Sequence, residues 1–156
     1  ALKELEIDKH NTFGEVEKKL SIMGADLLLE SLKTIEDGSP KFINQLHAEA
    51  TYAKKIDKKE TKINWNLDAN KVLSHIHSLS PSPGAWFMYE KERIKVLKAK
   101  ISTEQASPGR VLNDNLSIGC KVDSIQILEL QRQGKSRQSH KEFLLGNKIA
   151  KNSILV

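Results

Sequence analysis

The chain has 156 residues, a mass of 17.6 kDa, 38% apolar and 29% charged residues, and a formal net charge of +5. That is ordinary globular composition for one domain, or one domain plus a fragment. The single cysteine (Cys120) allows no internal disulfide and points to a reducing compartment, no run nears the ~18 apolar residues of a membrane span, and no signal-peptide pattern opens the chain, so a secreted disulfide scaffold, a helical membrane protein and a disordered tail are excluded.

Residues 2–7 read as a short edge strand. Thr12-Phe13-Gly14-Glu15 has the form of a capping box, which starts a helix there. Phe13, Val16, Leu20 and Met23 recur at helical spacing along one stripe. Gly24 is expected to end or kink that helix, because glycine inside a helix costs roughly 1 kcal/mol against alanine. A second helix restarts near Ala25 with Leu27, Leu28, Leu32 and Ile35 as its apolar face, and Gly38 and Pro40 terminate it. So short a segment cannot build a core of its own, since chains below ~40 residues rarely bury enough surface. Its leucine stripe needs a partner.

Residues 39–62 lack periodicity and end in a lysine run, so they read as a basic linker. Asn66 and Asp68 are candidate N-caps for a helix in which Ala69, Val72, Leu73 and Ile76 face inward, running to about Leu79 before Pro81 and Pro83. After Gly84 the pattern changes to period two. Ala85–Tyr89, Arg93–Ser102, Arg110–Leu112, Leu116–Val122 and Ser124–Gln133 read as strands. The alternation in Arg93–Ser102 is clean at Ile94 and Val96 and less so at Ala99 and Ile101. A last helix is expected over Ser139–Leu145, with Phe143 and Leu144 inward and Gly146 as its stop. Five short antiparallel strands after one helix describe an α+β, mainly β unit, a small open barrel of oligonucleotide-binding type.

A catalytic centre is not legible. The five histidines make no His-x-x-x-His pair, His75 and His77 do not share a helical face, and no P-loop, Gly-rich dinucleotide loop or Gly-x-Ser-x-Gly elbow is present. Cys120 sits within a strand and reads as a small buried hydrophobe. The expectation is no catalytic residue and no metal site in this chain.

Charge is more informative. Residues 1–50 carry six Lys/Arg against ten Asp/Glu, a net of −4, and residues 51–156 carry nineteen against ten, a net of +9. A basic unit attached to an acidic one suggests a polyanionic partner. The candidate phosphate contacts are Lys54, Lys55, Lys58, Lys59 and Lys62 in the linker, and Lys135, Arg137 and Lys141 near the end; Arg93, Lys95, Lys98 and Lys100 lie along one strand. With aromatics at 5%, and Trp65 and Trp86 at least as suited to the core, phosphate contacts and shape recognition of folded RNA fit better than base stacking.

Several motifs, in order, resemble the methionyl-tRNA formyltransferases. They are Ala50-Thr51-Tyr52-Ala53-Lys54-Lys55-Ile56, then Lys59-Glu60, Ile63-Asn64-Trp65, and Leu79-Ser80-Pro81-Ser82-Pro83-Gly84-Ala85-Trp86. Pro108-Gly109, Ile118-Gly119-Cys120, Leu128 to Gln131, Gly134-Lys135 and Phe143-Leu144-Leu145-Gly146 continue the match. Asp8 to Leu20 and Gly24 to Leu28 resemble the last helices of that family's catalytic domain. The chain departs from the pattern at Ser82, His77 and Gln138, where that family usually has Trp, Arg and Met.

The resemblance implies a division into three parts. Residues 1–38 would be the closing helices of a Rossmann-like formyltransferase domain, 39–62 a basic linker and 63–156 an OB-like tRNA-binding domain. The family's catalytic Asn, His and Asp would lie in an N-terminal domain outside this chain, leaving the segment inactive alone. The whole enzyme, a monomer of the bacterial cytoplasm or an organellar matrix, would transfer a formyl group from 10-formyltetrahydrofolate to methionyl initiator tRNA, with no cofactor bound by this segment. The alternatives are the same portion of another formyltetrahydrofolate-using enzyme, such as the folate-dependent dehydrogenase, and a non-catalytic interaction domain that uses the leucine face.

Overall fold

A computed structural model describes residues 1–156. The first twelve residues form no strand, against expectation; they run irregularly to a turn before helix α1 (Phe13–Glu36). The capping box closes this helix as its sequence requires: the Thr12 amide donates to Glu15 Oε2 at 2.8 Å, and Thr12 Oγ1 accepts from the Glu15 amide at 3.4 Å.

Gly24 does not end α1, which is one helix of 24 residues rather than two. A penalty of about 1 kcal/mol does not break a helix whose flanking residues are good helix formers. Asp37 is the C-cap and Gly38 follows at φ +71°, the left-handed stop expected there. No residue of α1 is buried, and Leu28, Leu32 and Ile35 are all more than half exposed. Its start is anchored on the barrel, where the Gly14 amide donates to the Ser80 carbonyl at 2.9 Å and Lys98 Nζ lies 3.2 Å from Glu15 Oε1; farther along, Glu30 pairs only with Lys3 of the leading segment, at 2.9 Å.

Residues 39–60 hold one 3-10 turn, His47–Glu49, and are otherwise without regular structure. Helix α2 (Ala69–Leu79) buries Ala69, Val72, Leu73 and Ile76, as their spacing predicts. Strands β1 (Ala85–Tyr89), β2 (Glu92–Ser102), β3 (Ser117–Gly119), β4 (Ser124–Arg132) and β5 (Arg137–Ser139) form one antiparallel sheet in the order β1-β2-β4-β3, with β5 on β4. Strand β2 pairs along β4; β3 pairs with Ser124–Gln126 of β4, and β5 with Glu129–Gln131 of the same strand. Helix α3 (His140–Gly146) follows, capped by a second box between Ser139 and Glu142.

Two of the expected barrel strands are corrected. Arg110–Leu112 makes only isolated bridges, Arg110 to Ile154 and Val111 to Ile118, and pairing in Leu116–Val122 is limited to β3; the sheet gains β5 in addition. Short, polar segments such as Arg137-Gln138-Ser139 carry no alternation to detect.

The sheet curls into a barrel, and the closing piece is the C-terminal segment. Val111 and Leu155 donate to the carbonyls of Ser153 and Gly109 at 2.9 and 2.8 Å, and Met88 of β1 exchanges two backbone hydrogen bonds with Val156. The core of Phe87, Ile94, Val96, Ile118, Ile125, Ile127 and Leu130 lies within, covered by α2 and by Phe143 of α3. β2 can curl this way because its register shifts on either side of Lys98. Before the shift Ile94 and Val96 point inward; after it, Ala99 and Ile101 do. The bulge therefore keeps Lys98 and Lys100 off the core.

Candidate nucleic-acid interface

Residues opposite one another on antiparallel strands share a face. Trp86 pairs with Lys95, Lys95 with Gln131, and Gln131 with Arg137, so these four form one row across the outer face of β1, β2, β4 and β5. The end of the linker extends that row. Lys62 bridges Trp86, the Ile63 amide donates to the Trp86 carbonyl at 2.8 Å, and the Trp86 amide donates to the Thr61 carbonyl at 3.0 Å.

Trp86 belongs to this surface rather than to the core. It is half-buried; its indole N–H donates to Thr61 Oγ1 at 2.9 Å, and two cations rest on its ring. The Arg93 guanidinium lies 4.5 Å from the ring centroid and Lys62 Nζ 5.9 Å from it. Trp65, by contrast, is 5% exposed and packs on Phe87.

Arg93 and Lys95 stand on a ridge between two hollows. One opens toward the linker, where Lys58, Thr61 and Ser82 line it; the other opens toward the β4–β5 turn, where Gln133 and Lys135 do. The result is a basic strip from Lys58 to Lys135 across the sheet, two hollows joined at Arg93 and Lys95. Of the residues singled out in the sequence, Lys58 and Lys135 line these hollows, and Lys62 reaches the Trp86 ring beside them. Lys59 shares a separate hollow with Lys62, Asn64 and Pro108. Arg137 borders a mixed hollow with Glu15, Glu17 and Glu129. Lys54 and Lys55 are exposed on the linker, and Lys141 is exposed on α3.

Arg93 and Lys95 occupy the centre of this surface, although the linker lysines stand out more in the sequence. The signal for them is the period-two alternation of β2, which places both on the outer face. Neighbouring cations are neutralised. Arg132 donates from Nε to both oxygens of Glu92 at 2.8 and 3.0 Å, which raises its pKa, and Lys98 pairs with Glu15. The Glu15 carboxyl is held below the usual range, first by the Thr12 amide and also by Lys98. Cys120 is buried, and desolvation pushes its thiol up to about 11, which leaves it unreactive as a nucleophile near neutral pH. No three His, Cys, Asp or Glu side chains gather in metal-binding proximity.

The family described as formyl transferase, C-terminal domain, matches residues 55–148. The chain is 40% identical over 139 residues to the methionyl-tRNA formyltransferase of Bradyrhizobium diazoefficiens, covering 86% of this chain and 45% of that protein. The enzyme of the same name from Pelagibacter ubique is also 40% identical over 139 residues, at 88% and 45% coverage. The chain thus spans about half the length of the curated relatives it matches. Among solved structures, a variant of HypX from Aquifex aeolicus superposes with a TM-score of 0.70 at 18% identity, over 96% of this chain and 31% of that one. HypX in complex with tetrahydrofolic acid gives 0.62 at 21%, over 82% and 26%; both likenesses concern the fold. No helix is long and apolar enough to cross a membrane. A chain with this barrel, matched from the linker to α3, belongs to the formyl transferase family through its C-terminal domain.

Proposed function

We propose that this chain is the RNA-binding rear portion of a methionyl-tRNA formyltransferase. The whole enzyme transfers a formyl group from 10-formyltetrahydrofolate to the amino group of methionyl initiator tRNA. The reaction is catalysed by an N-terminal domain that is not part of this sequence, and the enzyme works as a monomer in the bacterial cytoplasm or an organellar matrix. In this reading residues 1–38 belong with the catalytic domain, 39–62 are a linker lying along the RNA, and 63–156 are the RNA-binding barrel. The exposed leucine face of α1 and a core confined to Ile63–Leu155 support that division.

The observation that carries the reading is the basic strip from Lys58 to Lys135, with unpaired cations on one face of the barrel. A duplex phosphate neutralised by a cation releases counterions, so binding should weaken with a slope of about 0.9 per contact on a log–log salt plot. A gel shift with initiator tRNA at several salt concentrations tests this. Replacing Lys54, Lys55, Lys58 and Lys59 with Ala should weaken binding and flatten the slope; no binding at low salt sinks the proposal. The fold shared with HypX favours one second reading, the corresponding part of another formyltetrahydrofolate-using enzyme, which would bind no tRNA.

A further inference from the structure

We infer that the hollow between β2 and the β4–β5 turn seats a single phosphate group of the RNA backbone, gripped by Arg93, Lys95 and Lys135. The inference rests on the RNA-binding reading above and names where the grip is strongest. The hollow has a volume of about 320 Å³ and no carboxylate lines it. Its one paired cation is Arg132, held by Glu92 and by Asn147 Oδ1, to which it donates at 2.7 Å. The molecule has three ion pairs, and none of them involves Arg93, Lys95 or Lys135. Three free cations therefore face one cavity.

Two features make this more than a cluster of surface lysines. Arg93 is preset: its guanidinium lies on the Trp86 ring, while its Nε is buried without a partner. Trp86 is itself tied to Thr61. A planar fork held this way loses little freedom on meeting a phosphate, and its donors match two phosphate oxygens. The opposite rim is also fixed. Gln131 Nε2 donates to the Lys135 carbonyl at 2.7 Å, and the Lys135 amide donates to the Arg132 carbonyl at 3.2 Å. Arg93 and Lys95 face the linker-side hollow as well, so a chain of phosphates can continue from this seat toward Lys58.

The test uses the 156-residue chain and two probes. Inorganic phosphate is titrated while the amides of Gly134 and Lys135 and the side-chain N–H of Arg93 are followed by NMR. Initiator tRNA binding is measured against salt. Phosphate should shift the three seat signals well before those of Lys33 or Lys41, which are exposed and lie away from the sheet. Arg93→Lys, which keeps charge and removes the fork, should weaken tRNA binding about tenfold. Lys135→Ala should lower the salt slope by about 0.7–0.9, and Lys33→Ala, at an exposed position on α1, should change neither. Uniform shifts across all lysines, or Arg93→Lys binding like the parent chain, overturns the seat while leaving the RNA-binding reading intact. Seat shifts with inorganic phosphate but no tRNA binding overturn the RNA assignment and retain a site for a free phosphate group.

Discussion

Met88 and Val156 exchange a pair of backbone hydrogen bonds, 2.6 Å from the Met88 amide and 3.3 Å from the Val156 amide, and this pair joins the first strand of the barrel to the last residues of the chain. Leu155 beside it is 2% exposed and belongs to the core. Leu155→Ala removes a buried side chain at the seam and should lower stability by about 2–5 kcal/mol in urea unfolding. A loss near zero would mean the seam contributes nothing to the barrel.

The contact of the segment before α1 with the barrel contains a titratable group. His77 is buried; its Nε2 accepts the Ala99 amide at 3.4 Å and its Nδ1 donates to the Lys9 carbonyl at 3.3 Å. Desolvation holds its pKa below the ordinary histidine value, Lys98 adds to that, and Glu15 and the hydrogen bond to Lys9 oppose it. The neutral ring is the stabilising form. Its contribution is complete above a pH of about 6.5 and is lost as pH falls through the folded-state value, with a slope of at most about 1.4 kcal/mol per pH unit. Stability measured between about pH 7.5 and 5 should therefore fall with acidification, and hydrogen exchange at the Ala99 amide should quicken. His77→Gln should flatten that slope; an unchanged slope in the variant would assign it to other groups.

Gly84 has φ +86°, and a Cβ there would lie 2.8 Å from Lys95 Cδ and 3.3 Å from the Pro81 carbonyl. Gly84→Ala should cost about 1–2 kcal/mol through the left-handed backbone. It should also displace the Lys95 stem from the ridge, so tRNA binding should weaken together with stability. Wild-type stability would show that this turn tolerates a side chain.

The leucine stripe of α1 makes an opposite prediction. Leu28→Ala and Leu32→Ala remove side chains that are 59% and 52% exposed, so stability of this chain should change by less than about 0.5 kcal/mol. Leu73→Ala, at 3% exposure on α2, should cost about 2–5 kcal/mol. Equal losses from the two helices, read by chemical denaturation, would mean the stripe already has a partner.

Local signals carried far in this protein. Capping at Thr12, the left-handed stop at Gly38, the inward face of α2 and the alternation of β1 and β2 are set by neighbours within a few residues, and each is legible from spacing alone. The uneven alternation at Ala99 and Ile101 already held the β2 bulge, because one extra residue reverses which side chains face inward. Other features depend on residues far apart in the chain. The clasp of Met88 by Val156, the pairing of β5 with β4, the neutralisation of Arg132 by Glu92 and the gathering of Arg93, Lys95 and Lys135 around one hollow arise only when the sheet curls. Period and composition state which side chains face outward; only the register of distant strands decides which outward charges become neighbours, since a pairing that joins residues 40 apart leaves no trace in either local segment.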